Sequence, residues 1–129
     1  MTATVEELAA ERIVIITISA PIQFPTDVEI PLSSSVDFKG KAGTPTCRIM
    51  DFSHSNLQFS EMVYGLGGEL GKPGGFWDQD VFHVLIGTNE WVKFGVDAML
   101  EQEQYKGANI KGLVATREEA LDMAYSLLK

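Results

Sequence analysis

The run GLGGELGKPGGFWDQD, Gly65 to Asp80, places six of the chain's 12 glycines around a lysine. In the right order such residues cradle phosphate. A Walker-type loop needs Gly-x-x-x-x-Gly-Lys followed by Ser or Thr, after a strand and at the opening of a helix, so that backbone N–H groups face the anion. Here Leu66 stands where the first glycine would be, Pro73 replaces the hydroxyl residue, and the glycines fall at the end of a helical pattern. The dinucleotide pattern Gly-x-Gly-x-x-Gly fits Gly65 and Gly67 but ends on Leu70. The glycines are therefore read as punctuation. Gly71 closes a helix in the left-handed conformation, Pro73 stops its continuation, and Gly74 and Gly75 turn the chain.

The remaining chemistry-bearing residues are few. His54, in DFSHS, occupies a loop leaving a strand, where open α/β sheets bind ligands. Ser53, Ser55, Thr88, Asn89, Thr116 and Arg117 occupy equivalent strand ends, so these seven form the candidate ligand or partner site. Each except His54 also suits a helix cap or first turn. His83 lies inside VFHVLI and reads as a hydrogen-bonded core histidine; Cys47 lies inside CRIMDF and reads as a small buried hydrophobe. Asp51 near a strand end suggests a receiver-type phosphoacceptor. The acidic pair and the lysine such a site requires are replaced by Pro21-Ile22-Gln23 and Thr116-Arg117. No Gly-x-Ser-x-Gly elbow and no metal-ligand spacing is present, so neither a catalytic set nor a cofactor is expected.

Bulk properties narrow the function classes. The 129 residues are 45% hydrophobic and 22% charged, as in ordinary globular domains, and suffice for one core. With 10 basic against 18 acidic residues, the net charge of −8 disfavours nucleic acid and anionic membranes as partners. The longest apolar stretch, Ile13 to Ala20, falls well below the ~20 residues a membrane helix needs. One cysteine and an acidic N-terminal segment point to a cytoplasmic protein.

Periodicity locates the elements that must carry these residues. Thr4-x-x-Glu7 has capping-box spacing and predicts a short helix to Arg12, before a β-branched strand at Ile13 to Ile18. Pro21, Pro25, Pro31 and Pro45, with Gly40, Gly43 and Ser33 to Ser35, predict an irregular segment over 21–45 whose extended pieces, such as Val28 to Ile30, pair at an edge. Beyond Pro45 the grammar repeats three times. Strands at Cys47 to Phe52, Val81 to Ile86 and Ile110 to Ala115 each precede a helix. The first helix follows Ser55-x-x-Gln58 and runs from Phe59 to Leu70, the second follows Thr88 or Asn89, and the third follows Thr116-x-x-Glu119. Three strand-then-helix units imply a single α/β domain with a mostly parallel or mixed sheet and packed helices.

RIMDFS with its following helix, HVLIGTNEWVKFGVDAML and GLVATREEALDMAYSLL together resemble the SpoIIAA-like, or STAS-like, α/β domain over about residues 46–129. The resemblance implies a non-catalytic regulatory or protein-interaction module, with a protein partner that includes the possibility of a homodimer. Family members that antagonise anti-sigma factors carry a phosphorylated serine in Asp-Ser-Ser-Gly; Ser60 in FSEM is the serine at the comparable place, without the flanking serine and glycine. Related folds also bind apolar ligands. The alternative function is accordingly a small-molecule binder or enzyme built on Ser53, His54, Thr88 and Arg117. A pocket at those residues would favour the second reading, and an apolar helix face left exposed would favour the first.

Overall fold

A computed structural model describes residues 3–129. Five strands form one sheet in the order β1 (Ala3–Leu8), β2 (Ile13–Ile18), β3 (Thr46–Asp51), β4 (Val81–Ile86) and β5 (Ile110–Val114). β1 runs antiparallel to β2, and the other pairs are parallel. The crossovers are α1 (Thr26–Ala42), α2 (Phe59–Glu69) and α3 (Glu90–Glu101), and α4 (Arg117–Leu127) ends the chain. Each new parallel strand is added on the same side of the last. Crossovers of one hand then deliver their helices to one face. Phe38, Met62, Leu66, Val92, Val96 and Met99 of those helices pack on Val14, Ile16, Ile18, Met50 and Leu85. The opposite face is covered by α4, whose Ala120 and Ala124 lie on Ile13, Ile15, Cys47, Ile49, Val84 and Ile86. This is the mixed α/β sheet that the strand-then-helix grammar predicts.

β2, between β1 and β3, is an apolar strand whose alternate residues feed both cores, as a strand with both faces covered must. β1 corrects the predicted N-terminal helix. Its six residues pair in register with β2, from Ala3 opposite Ile18 to Leu8 opposite Ile13, and the chain then turns through a 3₁₀ segment at Ala9–Glu11. The spacing of Thr4 and Glu7 imitates a capping box. A neighbouring strand with six unpaired backbone positions decides otherwise.

The second correction concerns 21–45, which is ordered around α1 instead of irregular, with Val28 to Ile30 inside the helix. Its buried residues are Asp27, Val28, Pro31, Ser35 and Phe38, the last three at offsets of three, seven and ten from Val28. That is a helical face, but proline and serine hold two of its positions and hide it from a hydrophobicity pattern. Pro31 is the sixth residue of α1, beyond the first turn, so it removes the N–H that would meet the Asp27 carbonyl. The third correction is local. α2 is capped by Gln58 and Glu61, with the Gln58 N–H donating to Glu61 Oε1 at 2.9 Å, while the Ser55 hydroxyl donates to the Phe52 carbonyl.

Candidate functional site

The strand-end residues separate into groups with local work to do. Ser53 donates both its N–H (2.9 Å) and its hydroxyl (2.6 Å) to Asp51 Oδ1, forming the tight turn that leaves β3. Asn89 caps α3, its Oδ1 accepting from Trp91 N at 2.7 Å, and its amide donates to the Leu57 carbonyl at 3.2 Å. Thr116 caps α4 by accepting from Glu119 N at 3.2 Å, and Arg117 pairs with Glu6 of β1 at 2.6 Å. His54 and Thr88 are exposed. Ser53, Ser55 and Asn89 thus knit the loop over the α2–α3 side, while Arg117 is engaged with β1. None of the seven lines either of the two pockets described below.

The glycine-rich run behaves as its order predicts. Gly71 and Gly74 have φ of 70° and 78°, conformations that glycine adopts without a Cβ penalty. The amides that would face a phosphate are already taken. Gly74 N donates to Asp78 Oδ2 at 2.7 Å, and Phe76 N donates to Glu69 Oε1 at 3.0 Å. Two carboxylates of the chain itself occupy the anion-binding positions, and Lys39 bonds Asp78 at 2.6 Å. Burial acts to raise the pKa of Asp78, but the Lys39 hydrogen bond and the amides of Gly74 and Asp80 outweigh it, and the pKa is lowered.

A buried charged cluster went unforeseen. Arg48, on β3, is fully buried and grips Glu69 at the end of α2 with both terminal nitrogens, Nη1 reaching Oε2 at 2.9 Å. Its Nε donates to Nδ1 of His83, the residue opposite it on β4, at 3.1 Å, and the guanidinium lies 4.8 Å from the centre of the Phe76 ring. The Nδ1 of His83 is thereby the acceptor, so its proton sits on Nε2. Burial first, and the Arg48 charge second, hold the His83 pKa well below its ordinary value of 6.5; the Gly75 backbone opposes them. The legible signal was an arginine inside the apolar run CRIMDF and a histidine inside VFHVLI; their register was not legible. The cluster ties α2 and the glycine loop to the sheet and exposes no reactive atom.

Cys47 is also sealed. Burial pushes its thiol up to about 12, which leaves no thiolate for nucleophilic work near neutral pH. No group of three or more His, Cys, Asp or Glu suited to a metal occurs among the described residues.

Two concave regions flank α2. One is an apolar cavity of about 70 Å³ between the carboxyl-terminal halves of β2 to β4 and the helices, lined among others by Met50, Met62, Met99 and Gly65. The other is an open groove between α1 and α2, with Leu32, Val36, Val63 and Tyr64 along its walls. Beside them the outer surface of α2 and α3 is apolar. Phe59, Val63, Phe94 and Leu100 are each 50–55% exposed. Phe59, Trp91 and Phe94 form one aromatic group, with ring centres 5.3, 5.9 and 6.5 Å apart. Ser60 is exposed in the first turn of α2, next to this group. No helix among the described residues is long and apolar enough to cross a membrane. The chain matches no known protein-family model, no curated protein and no solved structure.

Proposed function

We propose that this protein is a non-catalytic interaction module of the STAS-like kind, which binds a protein partner through the outer surface of α2 and α3. The observation that carries the reading is the contiguous aromatic group Phe59, Trp91 and Phe94, in which Phe59 and Phe94 are half-exposed and Trp91 packs partly buried beneath them. Large apolar side chains clustered on one surface cost solubility and mark docking sites in soluble proteins. Aromatic residues are also the side chains that carry most binding energy at protein interfaces. On α3, Glu90, Asp97 and Glu101 outnumber Lys93, which pairs with Asp97 at 2.8 Å, so a partner with apolar anchors and a basic rim fits the patch. A second copy of the chain meets the apolar requirement and opposes the charge.

The alternative built on Ser53, His54, Thr88 and Arg117 has less support, because Ser53 is committed to a turn and Arg117 to an ion pair, while His54 and Thr88 are exposed and line neither pocket. The test uses a photo-crosslinking residue at position 59 or 94, with position 126 on α4 as control, in the host cell and in the purified protein. Adducts from 59 and 94 but not 126, lost from 59 when Phe94→Asp is added and from 94 when Phe59→Asp is added, support the reading; adducts of the purified chain alone identify self-association. Equal labelling at 126, or none at 59 and 94, overturns it.

A further inference from the structure

The geometry points to the cavity beneath α2 as a binding site for a compact apolar molecule, neutral or amine-bearing, that excludes carboxylic acids. The inference does not depend on the docking surface, which lies on the outer side of the same helices. Three features argue for an occupant. First, three methionines, Met50, Met62 and Met99, converge on the space. Methionine is the side chain that adapts most readily to whatever fills a gap, through three rotatable bonds and a polarizable sulfur.

Second, Gly65 lines the cavity from inside a helix, where glycine costs about 1 kcal/mol relative to alanine. A Cβ there would meet nothing within 4 Å, so no neighbour in the chain requires the glycine. Gly68, three residues later, contrasts with it, because a Cβ there would come within 2.6 Å of Val28 Cγ1. The glycine at 65 keeps room that the chain itself does not use.

Third, size and polarity suit a small apolar body. The cavity measures about 70 Å³. One water needs about 10–15 Å³ and an apolar void of about 150 Å³ holds benzene, so the space as it stands takes a short branched chain, and a single ring enters only with rotamer changes of Met50, Met62 and Met99 that enlarge it. Water finds few partners in such a lining, and the driving force is the removal of apolar surface from water.

The charge preference follows from the lining. Asp27, Glu61 and Glu69 contribute the acidic groups, and no lysine, arginine or histidine lines the space. Arg48 pairs with Glu69 and spends both terminal nitrogens on it, which leaves Asp27 and Glu61 as the acidic groups and no cationic donor for a ligand. An entering carboxylate would lose its hydration and face like charge with no donor to compensate. An ammonium group directed toward Glu61, half-buried at the rim, meets the opposite field.

Toluene, benzylamine and benzoate share one body and differ in charge, so they separate these statements. In protein labelled with ¹³C at methionine methyls, toluene and benzylamine are expected to shift Met50, Met62 and Met99 saturably and leave Met123 of α4 unmoved, while benzoate shifts none. Gly65→Leu, which fills the space, is expected to weaken toluene binding at least about tenfold, and Gly67→Ala to leave it unchanged. If Gly65→Leu does not fold, Gly65→Ala with the charge series carries the test. No saturable shift with toluene, benzoate binding as well as toluene, or toluene affinity indifferent to a folded Gly65 variant overturns the proposal.

Discussion

Arg48 and Glu69 face each other inside an apolar layer, where each charge is tolerable only because the other is present. Removing one partner from such a pair leaves a buried charge without compensation and costs about 3–5 kcal/mol, whereas replacing both with apolar residues of similar volume is often neutral. Glu69→Ala is therefore expected to lower the unfolding free energy by that amount in urea, and Arg48→Met with Glu69→Met to recover most of it. Recovery should be incomplete, because Phe76 N also loses its acceptor and His83 Nδ1 its donor.

His83 sets a pH dependence whose sign can be worked out. In the unfolded chain the imidazole takes a proton near its ordinary 6.5, but in the fold burial and Arg48 hold its pKa well below that. Between those values the unfolded chain binds more protons than the native one. This contribution to stability is complete above about pH 6.5 and is lost as pH falls below it, with a limiting slope of about 1.4 kcal/mol per pH unit. Urea titrations from pH 5 to 8 should show a flatter profile below pH 6.5 for His83→Gln than for the parent chain. Equal slopes would mean that the ring is protonated in the native state. His83 was readable as a hydrogen-bonded core histidine, but its partner Arg48 was not, since a strand pattern says that a side chain is buried and not which side chain stands opposite.

At the scale of elements, α2 shows how one helix uses its glycines differently. Gly68 lets α1 approach, because a Cβ there would meet Val28 Cγ1 at 2.6 Å, while Gly67 has nothing within 4 Å. Gly68→Ala is expected to destabilise by about 1–3 kcal/mol through overpacking. Gly67→Ala should stabilise by up to about 1 kcal/mol through helix propensity and reduced freedom of the unfolded chain. Thermal or urea unfolding of the two variants separates them by opposite signs; the same sign for both would remove the argument that α1 and α2 meet at Gly68. The strands β2 to β5 and the helices α2 to α4 were legible because their apolar periods and cap residues, such as Asn89 and Thr116, act locally. α1 was not, because its buried face runs through Pro31 and Ser35, and β1 was not, because its strand state depends on β2.

At the largest scale, the described residues form a single sheet with three α-helices on one side and one on the other, and Cys47 sits in the thinner layer. It is fully buried beneath α4, on the face with Ala120 and Ala124. Its reaction with an aromatic disulfide reagent at pH 8 should be slow and limited by opening of the fold, rising with urea in parallel with global unfolding. A reaction in native protein as fast as that of a free thiol would show that α4 detaches readily and that this face is open.

Composition and local order determined by themselves that this is a single α/β domain of acidic character, that the stretch from Gly65 to Asp80 turns the chain instead of holding phosphate, and that Cys47 and His83 belong to the interior. Those properties depend on residues adjacent in sequence or on sums over the chain. Only the tertiary structure decided that Arg48, Glu69 and His83 form one buried cluster and that Gly65 borders a cavity. It alone decided also that the strand-end residues divide between separate tasks while the aromatic residues of α2 and α3 meet at the surface. Each of these depends on register and on which helix faces which, and such choices are made by packing between segments far apart in the chain.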